Sequence, residues 1–165
     1  IGAYLRPENT RGHEIFLKIA KEAAKQGRFT CAGISRHQLA SVGAIPENLE
    51  VVGPVADPQT WLYSLDIFVS TVPGDGQVPD ALEAMAAGAV CMLSNVPAHD
   101  RLHQQHAAVL FDHRSVESFT TTLNDLRNDA ALRDMVLGNS RYMIERFFNI
   151  EAHKKNIIEL YRTSL

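Results

Sequence analysis

The feature that most constrains this chain is an alternation. Short apolar runs rich in Val, Ile, Phe or Leu take turns with helix-period segments along most of its 165 residues. That pattern predicts an α/β fold, a Rossmann-like parallel sheet flanked by helices on both faces. Strands are expected near Ile1 to Leu5, Phe29 to Ile34, Leu49 to Val52, Ile67 to Ser70, Ala89 to Leu93 and Ala107 to Phe111. Between the first two, Ile15, Phe16, Ile19, Ala20 and Ala23 form one apolar face. Lys18, Lys21, Glu22 and Lys25 point away, and Gly27 supplies a stop. A second helix runs from about Pro79 to Ala87, with proline in its opening turn and Gly88 just past its end. The C-terminal third reads as three helices, Val116 to Arg127, Ala130 to Arg146 and Ile150 to Arg162, the last opened by Asn149 as N-cap.

Composition narrows the class. The chain is 45% hydrophobic and 21% charged, with a formal net charge of -3. This is the balance of one globular domain over 1–165, with no bulk basic charge to attract nucleic acid or an anionic membrane surface. No apolar run approaches the roughly 18 residues of a spanning segment, which leaves peripheral membrane contact open. Cys31 and Cys91 sit in apolar runs, where a free cysteine behaves as a small buried hydrophobe, and a reducing cytoplasm fits that usage. The start, Ile1-Gly2-Ala3-Tyr4-Leu5, is already strand-like and reads as cut from a longer chain.

In open α/β sheets ligands bind outside the carboxyl ends of the strands, where loops meet helix N-termini. The loop after the fourth predicted strand, Thr71-Val72-Pro73-Gly74-Asp75-Gly76-Gln77-Val78, leads directly into the helix carrying Glu83. Its glycines permit close backbone approach to a ligand, and the helix start offers unpaired amides to a phosphate. Asp75 and Glu83 are separated by seven residues, so both carboxylates can face one crevice and accept hydrogen bonds from vicinal hydroxyls. An equally simple reading is a glycine turn before a helix whose acidic start, Asp80 and Glu83, complements the dipole.

The run from Asp75 through Glu83-Ala-Met-Ala-Ala-Gly88 resembles the E-x7-E segment of family 4 glycosyltransferases of GT-B fold, usually E-G-F-G-L-P-x-L-E-A-M-A-x-G. The resemblance extends back through Asp66-Ile-Phe-Val and forward through Ala89 to Ser94 and Ala107 to Phe111. Upstream, Leu5 to His13 resembles the family's R-x4-K-G loop, Cys31-Ala-Gly33 a strand end, and Val52-Gly-Pro-Val55 its f-x-G-x-V segment.

This resemblance implies the C-terminal, donor-binding half of a retaining, metal-independent glycosyltransferase, taking a UDP- or GDP-sugar as substrate and needing no cofactor. An N-terminal domain outside this chain would bring a saccharide or glycolipid acceptor, in a setting such as polysaccharide biosynthesis. Glu83 would bind the ribose hydroxyls and Asp75 would lie beside the transferred sugar. The amides of Gly76, Gln77 and Val78 would cradle sugar hydroxyls and a phosphate. Arg6 and Arg11 match the basic pair that neutralises the leaving diphosphate, the task a divalent cation performs elsewhere. Gly53 lies on a nucleotide-side loop, and His13, directly after Arg11-Gly12, stands where a phosphate contact or first-turn exposure would place it.

Departures from the pattern are local. Asp75 replaces glutamate, Thr71-Val72 replaces a P-S dipeptide, and Pro79 falls one position before the usual proline. His99, His103 and His106 have a spacing that one helix side could gather, but with no cysteine nearby and Gln104 and Gln105 adjoining, a solvated surface stretch is expected rather than zinc. A non-catalytic or degenerate scaffold of the same fold is the alternative. A dehydrogenase would need G-x-G-x-x-G after the first strand, which is missing.

Overall fold

The computed structural model describes residues 1–72 and 79–163, apart from the side chain of Ala152. Six strands form one sheet: β1 (Gly2–Tyr4), β2 (Phe29–Ala32), β3 (Leu49–Gly53), β4 (Ile67–Ser70), β5 (Val90–Ser94) and β6 (Val109–Phe111). The sheet is parallel throughout, in the order β3-β2-β1-β4-β5-β6. Among the described residues eight α-helices connect or follow them: α1 (Thr10–Glu22), α2 (Arg36–Ala40), α3 (Pro58–Leu62), α4 (Pro79–Ala86), α5 (Pro97–Gln104), α6 (Val116–Asn128), α7 (Ala130–Phe147) and α8 (Ile150–Thr163). The expected α/β class, all six strands and the helical C-terminus are present.

Side-chain alternation along the strands divides the interior into two layers. On β5, Val90 and Met92 face one cluster while Cys91 and Leu93 face the other, as a period of two requires. The first layer joins the sheet to α1 and α6, through Phe16, Ile19 and Ala20 on one helix and Phe119, Leu123 and Leu126 on the other. Four aromatic rings stitch it together. Phe16 meets Phe29, Phe29 meets Phe119, and Phe119 meets Phe111 edge-on at 5.3 Å between centroids. The second layer holds Trp61 and Leu62 of α3, Ala81, Ala84 and Met85 of α4, and Leu102 of α5. Helix α7 straddles both, with Val136 in the first and Met143 in the second.

Several local expectations are refined. Helix α1 ends before Gly27: its cap is Ala23, and a 3-10 turn over Ala24–Gln26 intervenes. Asn149 caps α8 as expected, its side chain accepting the Glu151 amide at 2.8 Å. Helices α2 and α3 are only five residues each, too short to show an amphipathic period; they are marked instead by caps, Ser35 with Gln38 in a capping box and Asp57 before Pro58. Both cysteines are buried free thiols, and burial pushes Cys31 up to about 12. Trp61, Phe68, Met85 and Met92 all lie in the core.

Phe119 is fully buried at the centre of the aromatic chain. Phe119→Ala is expected to lower unfolding stability by about 3–5 kcal/mol. Urea denaturation should show this as a lower midpoint at unchanged slope.

Candidate functional site

The sheet order places a topological switch point between β1 and β4. The chain leaving β1 crosses towards β2, and the chain leaving β4 crosses the other way towards β5. Their loops therefore part above the carboxyl edge and leave a crevice there. The β1–α1 loop carries Arg6, the start of α1 carries Arg11 and His13, and the β4–α4 connection leads to Asp80 and Glu83. Most candidate residues thus come from the two segments that border this crevice.

Arg6 reaches across it. Its Nε donates to Asp80 Oδ2 at 3.1 Å and its Nη2 donates to Oδ1, a two-pronged pair joining the β1–α1 loop to the first turn of α4. The guanidinium also lies over the Tyr4 ring, 5.8 Å from its centroid. Arg11 is directed elsewhere. It is exposed, 3.7 Å from Glu14, and borders a surface groove with Lys18, His113 and Arg114. The two arginines expected as one basic pair therefore engage different carboxylates. Glu83 is exposed on α4, while Ala81, Ala84 and Met85 of the same helix are buried. Gly53 ends β3 with φ of 90°, its would-be Cβ position open. Asp75, Gly76, Gln77 and Val78 lie outside the described residues.

Beneath these groups is a set of polar side chains whose burial the sequence did not announce, among them His13, expected at a phosphate or in solvent. Five polar side chains are buried among the described residues, and four of them, His13, Thr71, Ser94 and His99, stand at the carboxyl edge of β1, β4 and β5. His13 Nε2 meets the Arg6 carbonyl at 2.8 Å, so it donates a proton there and braces the loop from within. Thr71 Oγ1 donates to the Gly12 carbonyl at 2.9 Å, tying the exit of β4 to the start of α1. Ser94 Oγ donates to the Val72 carbonyl, tying the same exit to β5. His99 completes the chain, its Nδ1 donating to the Ser94 carbonyl at 2.6 Å. Each bond ends on a backbone carbonyl, so the side chains tie loop, helix start and strand exits together.

The expected solvated histidine stretch is corrected at His99. It lies in α5 with no exposed surface, and its Nε2 is buried with no hydrogen-bond partner. Burial pulls its pKa down, partly offset by the bond to Ser94 and by Asp100, so the ring is held neutral. Pro97 at the start of α5 and buried Leu102 were the available signals, since they set a helix period that turns His99 inward. His103 Nδ1 meets the Ala108 carbonyl and His106 takes a left-handed turn with φ of 53°, so the three rings do different work. Among the described residues no group of three or more His, Cys, Asp or Glu side chains could hold a metal ion.

A further constraint fixes the neighbouring loop. Gly33 has φ of 97°, and a Cβ there would stand 2.4 Å from the Leu5 carbonyl oxygen. The loop after β2 can thus lie directly on the loop that carries Arg6.

The family model for glycosyl transferases group 1 matches residues 1–129. Curated protein sequences provide no match. Solved structures share the fold at low identity. HepE (Alr3699) of Anabaena, in complex with UDP, superposes with a TM-score of 0.81 at 15% identity, over 99% of this chain and 48% of that one. A sucrose-phosphate synthase of Thermosynechococcus elongatus gives 0.79 at 19% identity, over 98% of this chain and 44% of that one. The C-terminal domain of the glycosyl transferase group 1 protein LpcC of Francisella tularensis gives 0.67 at 21% identity, over 90% of this chain and 85% of that one. The chain spans less than half the length of the two larger relatives.

Because His99 has a lower pKa folded than its ordinary value of 6.5, the unfolded chain takes up a proton that the native state resists. That contribution is absent above about pH 7 and destabilises progressively as pH falls below about 6.5. His99→Asn retains a donor for Ser94 but does not titrate. Its stability relative to the parent, measured by urea denaturation, is expected to improve between about pH 7 and pH 5, by up to ~1.4 kcal/mol per pH unit.

Proposed function

The chain belongs to the glycosyl transferases group 1, and from this premise we propose that it binds a nucleoside-diphosphate sugar at the β1/β4 switch point. The observation that carries the reading is the meeting of Arg6 with the first turn of α4 across that crevice. A guanidinium and a helix start converge there, and both attract phosphate oxygens. HepE, of matching fold, is seen with UDP and with UDP-glucose, which supports a UDP-type donor for this chain.

In this proposal Glu83, exposed on α4, accepts hydrogen bonds from the ribose hydroxyls, and Asp75 holds the sugar. The amides of Gly76, Gln77 and Val78 complete the cradle, and Gly53 contributes open backbone on the nucleotide side. His13 holds the Arg6 loop in place from beneath. Arg6, joined by Arg11 once its exposed side chain turns from Glu14 to the crevice, offsets the charge of the leaving diphosphate, so transfer needs neither a divalent cation nor a cofactor. Transfer retains the anomeric configuration: the acceptor attacks from the face the diphosphate leaves. An N-terminal domain brings a saccharide or glycolipid acceptor and closes over the donor, so residues 1–165 alone bind without turnover. The proposed setting is cytoplasmic polysaccharide assembly. Among the described residues no helix is long and apolar enough to cross a membrane.

A degenerate module is the second reading, favoured by Asp75 in place of glutamate and by Arg6 already holding Asp80. Turnover in a chain carrying the N-terminal domain separates the two.

Calorimetric titration with UDP, GDP and ADP tests the proposal. Binding of at least one is expected at millimolar concentration or below, and Glu83→Ala should weaken it about tenfold or more, through lost charged hydrogen bonds. No binding by the parent, or equal binding by the variant, overturns the assignment.

A further inference from the structure

We infer that Asp80 is a specificity-determining residue: an internal carboxylate that occupies Arg6 in the empty site and sets how strongly the crevice prefers a ligand of higher negative charge. The inference rests on the donor reading above and concerns a residue to which that reading gives no role.

A guanidinium carries five N–H donors in a rigid fork. Asp80 takes the Nε and Nη2 edge of Arg6 with both carboxylate oxygens, which is the geometry a phosphate would claim. Asp80 also lies in the first turn of α4, where the helix presents its partial positive charge. One side chain thus serves both positive elements that an incoming phosphate would use. A diphosphate must either displace the carboxylate or coexist with its charge a few ångströms away. Each course lowers affinity, and each matters more as the ligand carries more charge.

The contact is built to exchange. The Arg6 side chain remains 49% exposed and that of Asp80 21%, so solvent screens the pair and its rupture costs little. Tyr4 supports the guanidinium from below, which keeps Arg6 near the crevice when Asp80 lets go. Position 80 is also where the E-x7-E segment it resembles has proline, a residue that can neither pair with arginine nor repel phosphate. The carboxylate is therefore a departure of this chain, placed at the mouth of the proposed site.

The test compares the parent with Asp80→Asn, by calorimetric titration of uridine, UMP and UDP at fixed ionic strength. Asparagine keeps the shape of the first turn and removes the charge. UDP is expected to bind roughly fivefold tighter to Asp80→Asn, UMP to gain less, and uridine to be unchanged. The gain for UDP should largely disappear when both proteins also carry Arg6→Ala, since the cycle isolates the pair. Weaker UDP binding by Asp80→Asn would mean that Asp80 positions Arg6 rather than competing for it, and overturns the inference. An equal gain for uridine would trace the effect to the shape of the site and overturns it as well. If the parent and Asp80→Asn bind none of UDP, GDP and ADP, the donor reading fails and the inference with it.

Discussion

The reversal of strand order between β1 and β4 is the constraint on which the rest of the structure depends. A parallel sheet must be covered on both faces, and here two apolar layers do so, one through α1 and α6 and the other through α3, α4 and α5. With the faces closed, the carboxyl edge is where loops can part and helix starts can point outward. The order β3-β2-β1-β4-β5-β6 puts that parting at one place, and Arg6 and Asp80 face each other across it.

The same edge explains why buried polarity is concentrated there. Burying an unpaired hydroxyl or imidazole costs free energy that an apolar residue would not, so such groups persist where they hold something in position. His13, Thr71 and Ser94 donate to the carbonyls of Arg6 in the β1–α1 loop, Gly12 at the start of α1 and Val72 at the exit of β4, and His99 secures the serine in turn. The fifth buried polar side chain, Ser140, donates to the Ala107 carbonyl and ties α7 to the lead-in of β6, away from the crevice. The first four brace the roots of the two candidate loops, and the groups proposed to touch ligand stand above them.

Fold and site were legible to different depths. The strands announced themselves because Phe29 to Ala32 or Val90 to Ser94 are continuous apolar runs, as burial on both faces demands. The family segment pointed to the helix that is found as α4, on which Glu83 stands exposed. What stayed illegible depends on tertiary neighbours. Nothing local to His99 says that Ser94 will stand against its Nδ1, and nothing in Leu5 to His13 says that Arg6 will find Asp80 while Arg11 turns to Glu14. Such pairings join residues up to 74 positions apart, and only the completed sheet brings those partners together.

The two hydrogen bonds at the exit of β4 have a consequence for how such a protein changes over time. Thr71 is held by α1 and Val72 by β5, while the far side of the connection is anchored by the buried face of α4 through Ala81, Ala84 and Met85. Both ends of the intervening stretch are thus set by elements outside it. A change in α1, β5 or the buried face of α4 is therefore felt at those ends, so the frame of the crevice is inherited from the core and not set at the surface.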